Sequence, residues 1–151
     1  MKNLFEEKGM NETIERINQL NANTTPEWGK MNVAQMLAHN CIAYEIAFDE
    51  RKVDRPGFFG KIIMNLFVKS TVIGNKPYSK NGQTAPYFIV DDERDFEVEK
   101  KRLIDYIERA QKIGASHFEG KESASFGKIT SAEWNTMFSK HIDHHLVQFG
   151  V

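Results

Sequence analysis

Apolar residues recur at helical spacing through most of the chain. Ile14, Ile17 and Leu20 predict a first helix over about residues 11–20, capped by Asn11. Residues 21–29, with Pro26, form a turn-rich connection. A second helix opens after Met31, where Asn32 caps and Gln35 completes a capping-box arrangement, and it runs to about Phe48. Val33, Leu37, Cys41, Tyr44 and Phe48 make one stripe on it. Gln35, His39, Ile42 and Ile46 make another, nearly opposite. A helix apolar on both sides is a buried helix, so His39 is expected to face packed protein.

Residues 51–56 form a charged turn. Residues 58–73, rich in Phe, Ile, Met, Leu and Val, predict an interior or partner-covering helix. Residues 74–86 carry two glycines, two prolines and two asparagines and predict a long loop, and 87–90 a short extended piece that falls short of a strand. The next helix spans about Asp91 or Asp92 to Ile113, with acids at its start and Gly114 as its stop. Residues 115–127 are expected as a loop. The last helix opens on the capping box Thr130-Ser131-Ala132-Glu133 and runs to Phe149, with Gly150 ending it. Residues 28–35 and 126–133 echo one another in the order aromatic, Gly, Lys, apolar, cap, x, Ala, Gln/Glu. Four or five helices without a strand pattern predict an all-α fold, an antiparallel bundle.

At 151 residues, 40% hydrophobic and 27% charged, the chain reads as one domain, 1–151, with a real core. The net charge of -1 gives no electrostatic reason for a nucleic-acid partner. Residues 62–68 are too few to span a bilayer, so no membrane partner is expected. Acids near the start replace the apolar run of a secretory signal, and a cytoplasmic location is expected. A single cysteine, Cys41, excludes an internal disulfide.

The chemistry concentrates near the C-terminal end. Three of the five histidines, His141, His144 and His145, lie within five consecutive positions. Residues four apart share a helix face, so His141 and His145 present two imidazoles to one point. On a helical wheel Trp134, Phe138, Ile142, Phe149 and His145 fall in one arc, with His141 at its edge. His144 falls on a flank, and Asp143 points nearly opposite His145, toward water. Two ligands do not make a stable site, and His39 on the other buried helix is the natural third. His117 follows Gly114 and has no helical partner. The competing reading keeps these histidines as hydrogen-bonded core residues. Cys41 points to the other stripe and reads as core, and Glu45 is a weak candidate for a general base.

Three blocks, residues 28–39, 125–134 and 140–150, resemble a bacterial branch of the DinB/YfiT-like superfamily, the last being the most specific. The resemblance runs from about Trp28 to the end. It implies an antiparallel four-helix bundle with a long crossover connection, often dimeric. It also implies a divalent metal held by one histidine of an early helix and two of a late helix, which here are His39, His141 and His145. Relatives in the superfamily include thiol-dependent transferases and isomerases, which implies a small-molecule substrate and a low-molecular-weight thiol. Two departures stand out: Val147 replaces an expected basic residue, and residues 58–86 match nothing in the branch.

Three neutral imidazoles leave a divalent ion its full charge and an open position. They suit zinc, nickel, iron or copper alike. The expected function is that of a metal-dependent enzyme, a thiol S-transferase or small hydrolase. The alternative is a non-catalytic bundle with a structural metal, or a ligand-binding or dimerisation module.

Overall fold

The computed structural model describes residues 2–151. It is all-α apart from one hairpin of two-residue strands. Helix α1 (Glu7–Gln19) starts earlier than its apolar spacing predicts, and Asn11 lies inside it rather than capping it. The cause is tertiary. The backbone N–H of Leu4 donates to Asn135 Oδ1 at 2.7 Å, and Asn135 Nδ2 donates back to the Lys2 carbonyl at 3.1 Å. With buried Leu4 pinned to the last helix, the chain can turn at once into α1. Gly9 is required there, because a Cβ would lie 2.1 Å from the Asn3 carbonyl oxygen.

Helix α2 (Val33–Ala47) has the expected capping box between Asn32 and Gln35. It is buried on nearly every side, including His39, Asn40 and Cys41. Its neighbours are α5 (Phe96–Ile113) and α7 (Ser131–Gln148). Helix α5 starts later than expected: the acids before Asp95 lie outside it, and Asp95 caps by accepting from the Val98 N–H at 2.9 Å. Gly114, at φ 83, ends it as expected. Ile17, Leu37, Tyr44, Leu103, Ile107, Phe138 and Leu146 join α1, α2, α5 and α7 in one core.

Between α2 and α5 runs a crossover built from α3 (Phe58–Ile63), a π-helical turn (Met64–Val68) and α4 (Lys69–Ile73). The interior placement expected for this segment is overturned, since none of its residues is buried. Met64, Val68, Val72 and Ile73 pack on the core, while Phe58, Phe59, Leu66 and Phe67 are left exposed. The expected extended piece after Pro86 is instead a 3-10 turn (Pro86–Phe88).

Residues 115–127 also hold more than a loop. Helix α6 (Ala115–Phe118) carries His117 and buries Phe118. Strands β1 (Glu122–Ser123) and β2 (Gly127–Lys128) then pair antiparallel. Two residues per strand are too few to show alternation in sequence. Among the described residues no helix is long and apolar enough to cross a membrane.

Candidate metal centre

The two echoing stretches open α2 and α7 by the same chemistry. Each helix has a full capping box, Asn32 with Gln35 and Thr130 with Glu133. Each is preceded, three positions before its cap, by a glycine at positive φ, Gly29 (89) and Gly127 (74). The helices so fixed carry His39 on α2 and His141 and His145 on α7, and candidate ligand atoms of the three lie within 4.8 Å of one another. His39 and His145 are buried, while His141 keeps some solvent contact. Ring centroids are 4.8 Å apart for His39–His141, 4.7 Å for His39–His145 and 4.9 Å for His141–His145.

Hydrogen bonding decides which nitrogens face inward. His39 Nδ1 lies 2.7 Å from the Phe88 carbonyl oxygen, which can only accept, so Nδ1 carries the proton and Nε2 is bare. Gln148 does the same for His145. Its Nε2 donates to the Trp28 carbonyl at 2.6 Å, which turns its Oε1 to His145 Nδ1 at 2.7 Å. His145 Nδ1–H therefore donates, and its Nε2 is also bare. His141 Nε2 sits 2.8 Å from His39 Nε2, where it can donate to the bare nitrogen. Partners that hold a ring nitrogen in its metal-binding tautomer are characteristic of histidine metal sites. The donor set therefore fits a divalent ion.

Burial keeps these rings neutral. Desolvation lowers the pKa of His39, against the Phe88 hydrogen bond, which raises it. Desolvation, then the neighbouring imidazoles, pushes His141 well down. His145 is pushed down to about 3, chiefly by desolvation, with the Gln148 bond opposing. Neutral imidazoles are the form that binds a metal.

His144 does not join the three. It is half-buried beside them, 6.0 Å from Trp28 and 5.6 Å from Tyr78 between ring centroids. Asp143 is exposed, as the wheel places it, and pairs with Arg16 at 2.6 Å. His117 is exposed against Phe48 and Phe118. The Cys41 thiol is buried and its pKa raised to about 12 by desolvation, so it stays protonated in the core. Glu45 is engaged by Arg51 at 2.9 Å and by Arg102, beside a cleft of about 240 Å³ that also holds Arg94. Each of its carboxylate oxygens is thereby already taken by a guanidinium.

Three supports escape sequence reading. Gln148 was detectable in principle, since it follows His145 by three positions on one helix. Gly29 leaves it room: a Cβ there would lie 2.5 Å from Gln148 Nε2. Lys140, buried beside His141, donates to the Thr71 carbonyl at 2.5 Å and the Gly74 carbonyl at 2.7 Å, tying the end of α4 to α7. A Lys aimed at carbonyls from a distant segment leaves no local pattern.

No curated protein and no solved structure matches this chain. A family model does match, over residues 3–150, and the chain belongs to that family, described as a protein of unknown function (DUF1569).

Proposed function

We propose that His39, His141 and His145 hold a divalent transition metal, zinc, nickel or iron, and that the protein is a metal-dependent enzyme. The observation that carries this reading is the pair of oxygens, Phe88 O and Gln148 Oε1, that fix the outer protons of His39 and His145. Structural core histidines need their polar atoms satisfied, but they have no need for two bare Nε2 atoms within one cluster of three imidazoles. The four long helices α1, α2, α5 and α7, with residues 58–73 as the crossover, form the antiparallel four-helix bundle of a DinB/YfiT-like protein.

The favoured reaction class is thiol-dependent S-transfer, with hydrolysis of a small substrate as the other. A divalent ion would supply a Lewis acid that holds a thiol or water deprotonated near neutral pH. The chain's own part is to orient the imidazoles through Phe88 and Gln148 and to exclude water with the packed faces of α2 and α7. His144 lies beside His145, with Trp28 and Tyr78 against His144, and these side chains would shape the approach of a substrate.

Elemental analysis of protein purified without chelator, beside His39→Ala and His145→Ala, tests the site. About one ion per chain, absent from both variants, is expected. Chains that take up no metal after reconstitution at neutral pH would return the histidines to core hydrogen bonding. Adding a low-molecular-weight thiol to cobalt-substituted protein then separates the enzyme from a structural metal: an open position gives a sulfur-to-cobalt absorption band, and a closed site gives none.

A further inference from the structure

We propose that the exposed apolar face of the crossover, residues 58–67, is where a second copy of this chain docks. Phe58, Phe59, Leu66 and Phe67 are 75%, 80%, 67% and 72% exposed, with Ile62 and Ile63 at 42% and 56%. Six large apolar side chains on one helical segment are unlike the scattered single residues normal on a monomer's surface. At these exposures they offer on the order of 700 Å² of apolar surface. Each partner of a standard-size interface hides about 800 Å². The patch is therefore the size a stable dimer needs.

Its arrangement suits self-pairing. Phe58, Ile62 and Leu66 form one row at four-residue spacing, and Phe59, Ile63 and Phe67 form the row beside it. Ridges at this spacing are the ones that interlock when two helices pack. A two-fold axis through the patch lets each copy cover the other with the same residues and leaves no further surface to recruit a third chain.

Charge selects among occupants. The cations bordering the patch are already paired within the chain. Lys61 and Arg55 reach Glu122 at 3.5 and 3.3 Å, and Lys69 reaches Glu133 at 2.8 Å. With Lys61 and Arg55 sharing Glu122, one cation is left in excess, too few for the basic rim that draws an amphipathic helix to an anionic membrane. One such charge at the rim is a small cost when the patch meets itself. A neutral, aromatic-rich centre with satisfied charges at its rim is the anatomy of a protein–protein interface.

Sedimentation of the full chain tests this, without reference to its metal content. At roughly 100 µM, above the micromolar weak end for interfaces of this size, the chain is expected at twice its 17.4 kDa mass. Phe59→Glu/Leu66→Glu and, separately, Phe67→Asp are expected to sediment as monomers with unchanged far-ultraviolet circular dichroism. Val98→Glu, at an exposed apolar residue on α5, is expected to leave the dimer intact. A monomeric wild-type chain, or charge variants that remain dimeric, would overturn the proposal. So would loss of helical signal in both charge variants, which would mean that the face is packed within one chain. Vesicles of phosphatidylcholine and phosphatidylglycerol supply the last arm: a wild-type monomer that binds them through Phe59 and Leu66 would assign the face to lipid instead.

Discussion

Helix α2 and the crossover are written in similar letters and placed in opposite surroundings. Residues 33–47 contain one charged side chain, Glu45, and residues 58–73 contain two, Lys61 and Lys69. Both segments are apolar on more than one side. α2 lies between α5 and α7 and loses nearly all its surface to them. The crossover is held along one stripe only and leaves Phe58, Phe59, Leu66 and Phe67 in the open. Apolarity records that a residue gains by being covered. It does not record whether the cover comes from the same chain.

The strongest way to break this contrast is to truncate matched leucines. Leu37→Ala, in α2, is expected to cost about 2–5 kcal/mol of stability by leaving a cavity. Leu66→Ala is expected to cost under about 0.5 kcal/mol in urea titrations dilute enough to keep the chain monomeric. Equal losses would mean that the crossover is as much a part of the core as α2.

A sharper form sets one buried histidine against its half-buried neighbour. His145→Ala is expected to abolish metal retention, while His144→Ala retains about one ion per chain by elemental analysis. Metal kept by the first variant and lost by the second would exchange their roles. Gln148→Ala tests whether the orienting bond matters as well as the ligand. A drop in metal affinity of about 10–100-fold, read by competition with a chromogenic chelator, is expected from losing such a support. Unchanged affinity would show that packing alone orients His145.

The smallest effect is in pH. His39, His141 and His145 all have folded-state pKa values below the unfolded value of 6.5. The unfolded chain therefore binds more protons, and the stability these rings contribute is full above about 6.5. That stability is lost as pH falls from there toward the folded value, about 3 for His145. Chelator-treated protein should lose melting temperature progressively below pH 6.5, and a His39→Phe variant should lose less. Matching slopes in the two proteins would remove these rings from the acid sensitivity.

Much of the centre was legible because its information is local. Spacing four on α7 put His141 and His145 together, the two-sided apolar pattern of α2 put His39 inside, and the capping boxes at Asn32 and Thr130 fixed both helix starts. The misreadings occur where distant contacts decide. The early start of α1 depends on Asn135 holding Leu4 from the far end of the chain. The exposure of the crossover depends on how little of the core α2, α5 and α7 leave open to it. Phe88 orients His39 through its carbonyl oxygen, a group that every residue type carries, so its side chain gave no signal.

The short bond between His39 and His141 has a thermodynamic consequence. If all three imidazoles are already neutral at pH 7, an ion entering the centre has no ligand proton to expel. The hydrogen on His141 Nε2 need only move to Nδ1 of the same ring, a change of tautomer and not of protonation. Any dependence of the heat of metal uptake on the buffer's ionisation enthalpy at neutral pH should then come from ionisation of bound water and not from the ligands. At a cluster of exposed histidines near their pKa, displaced protons would add the buffer's own heat to every injection.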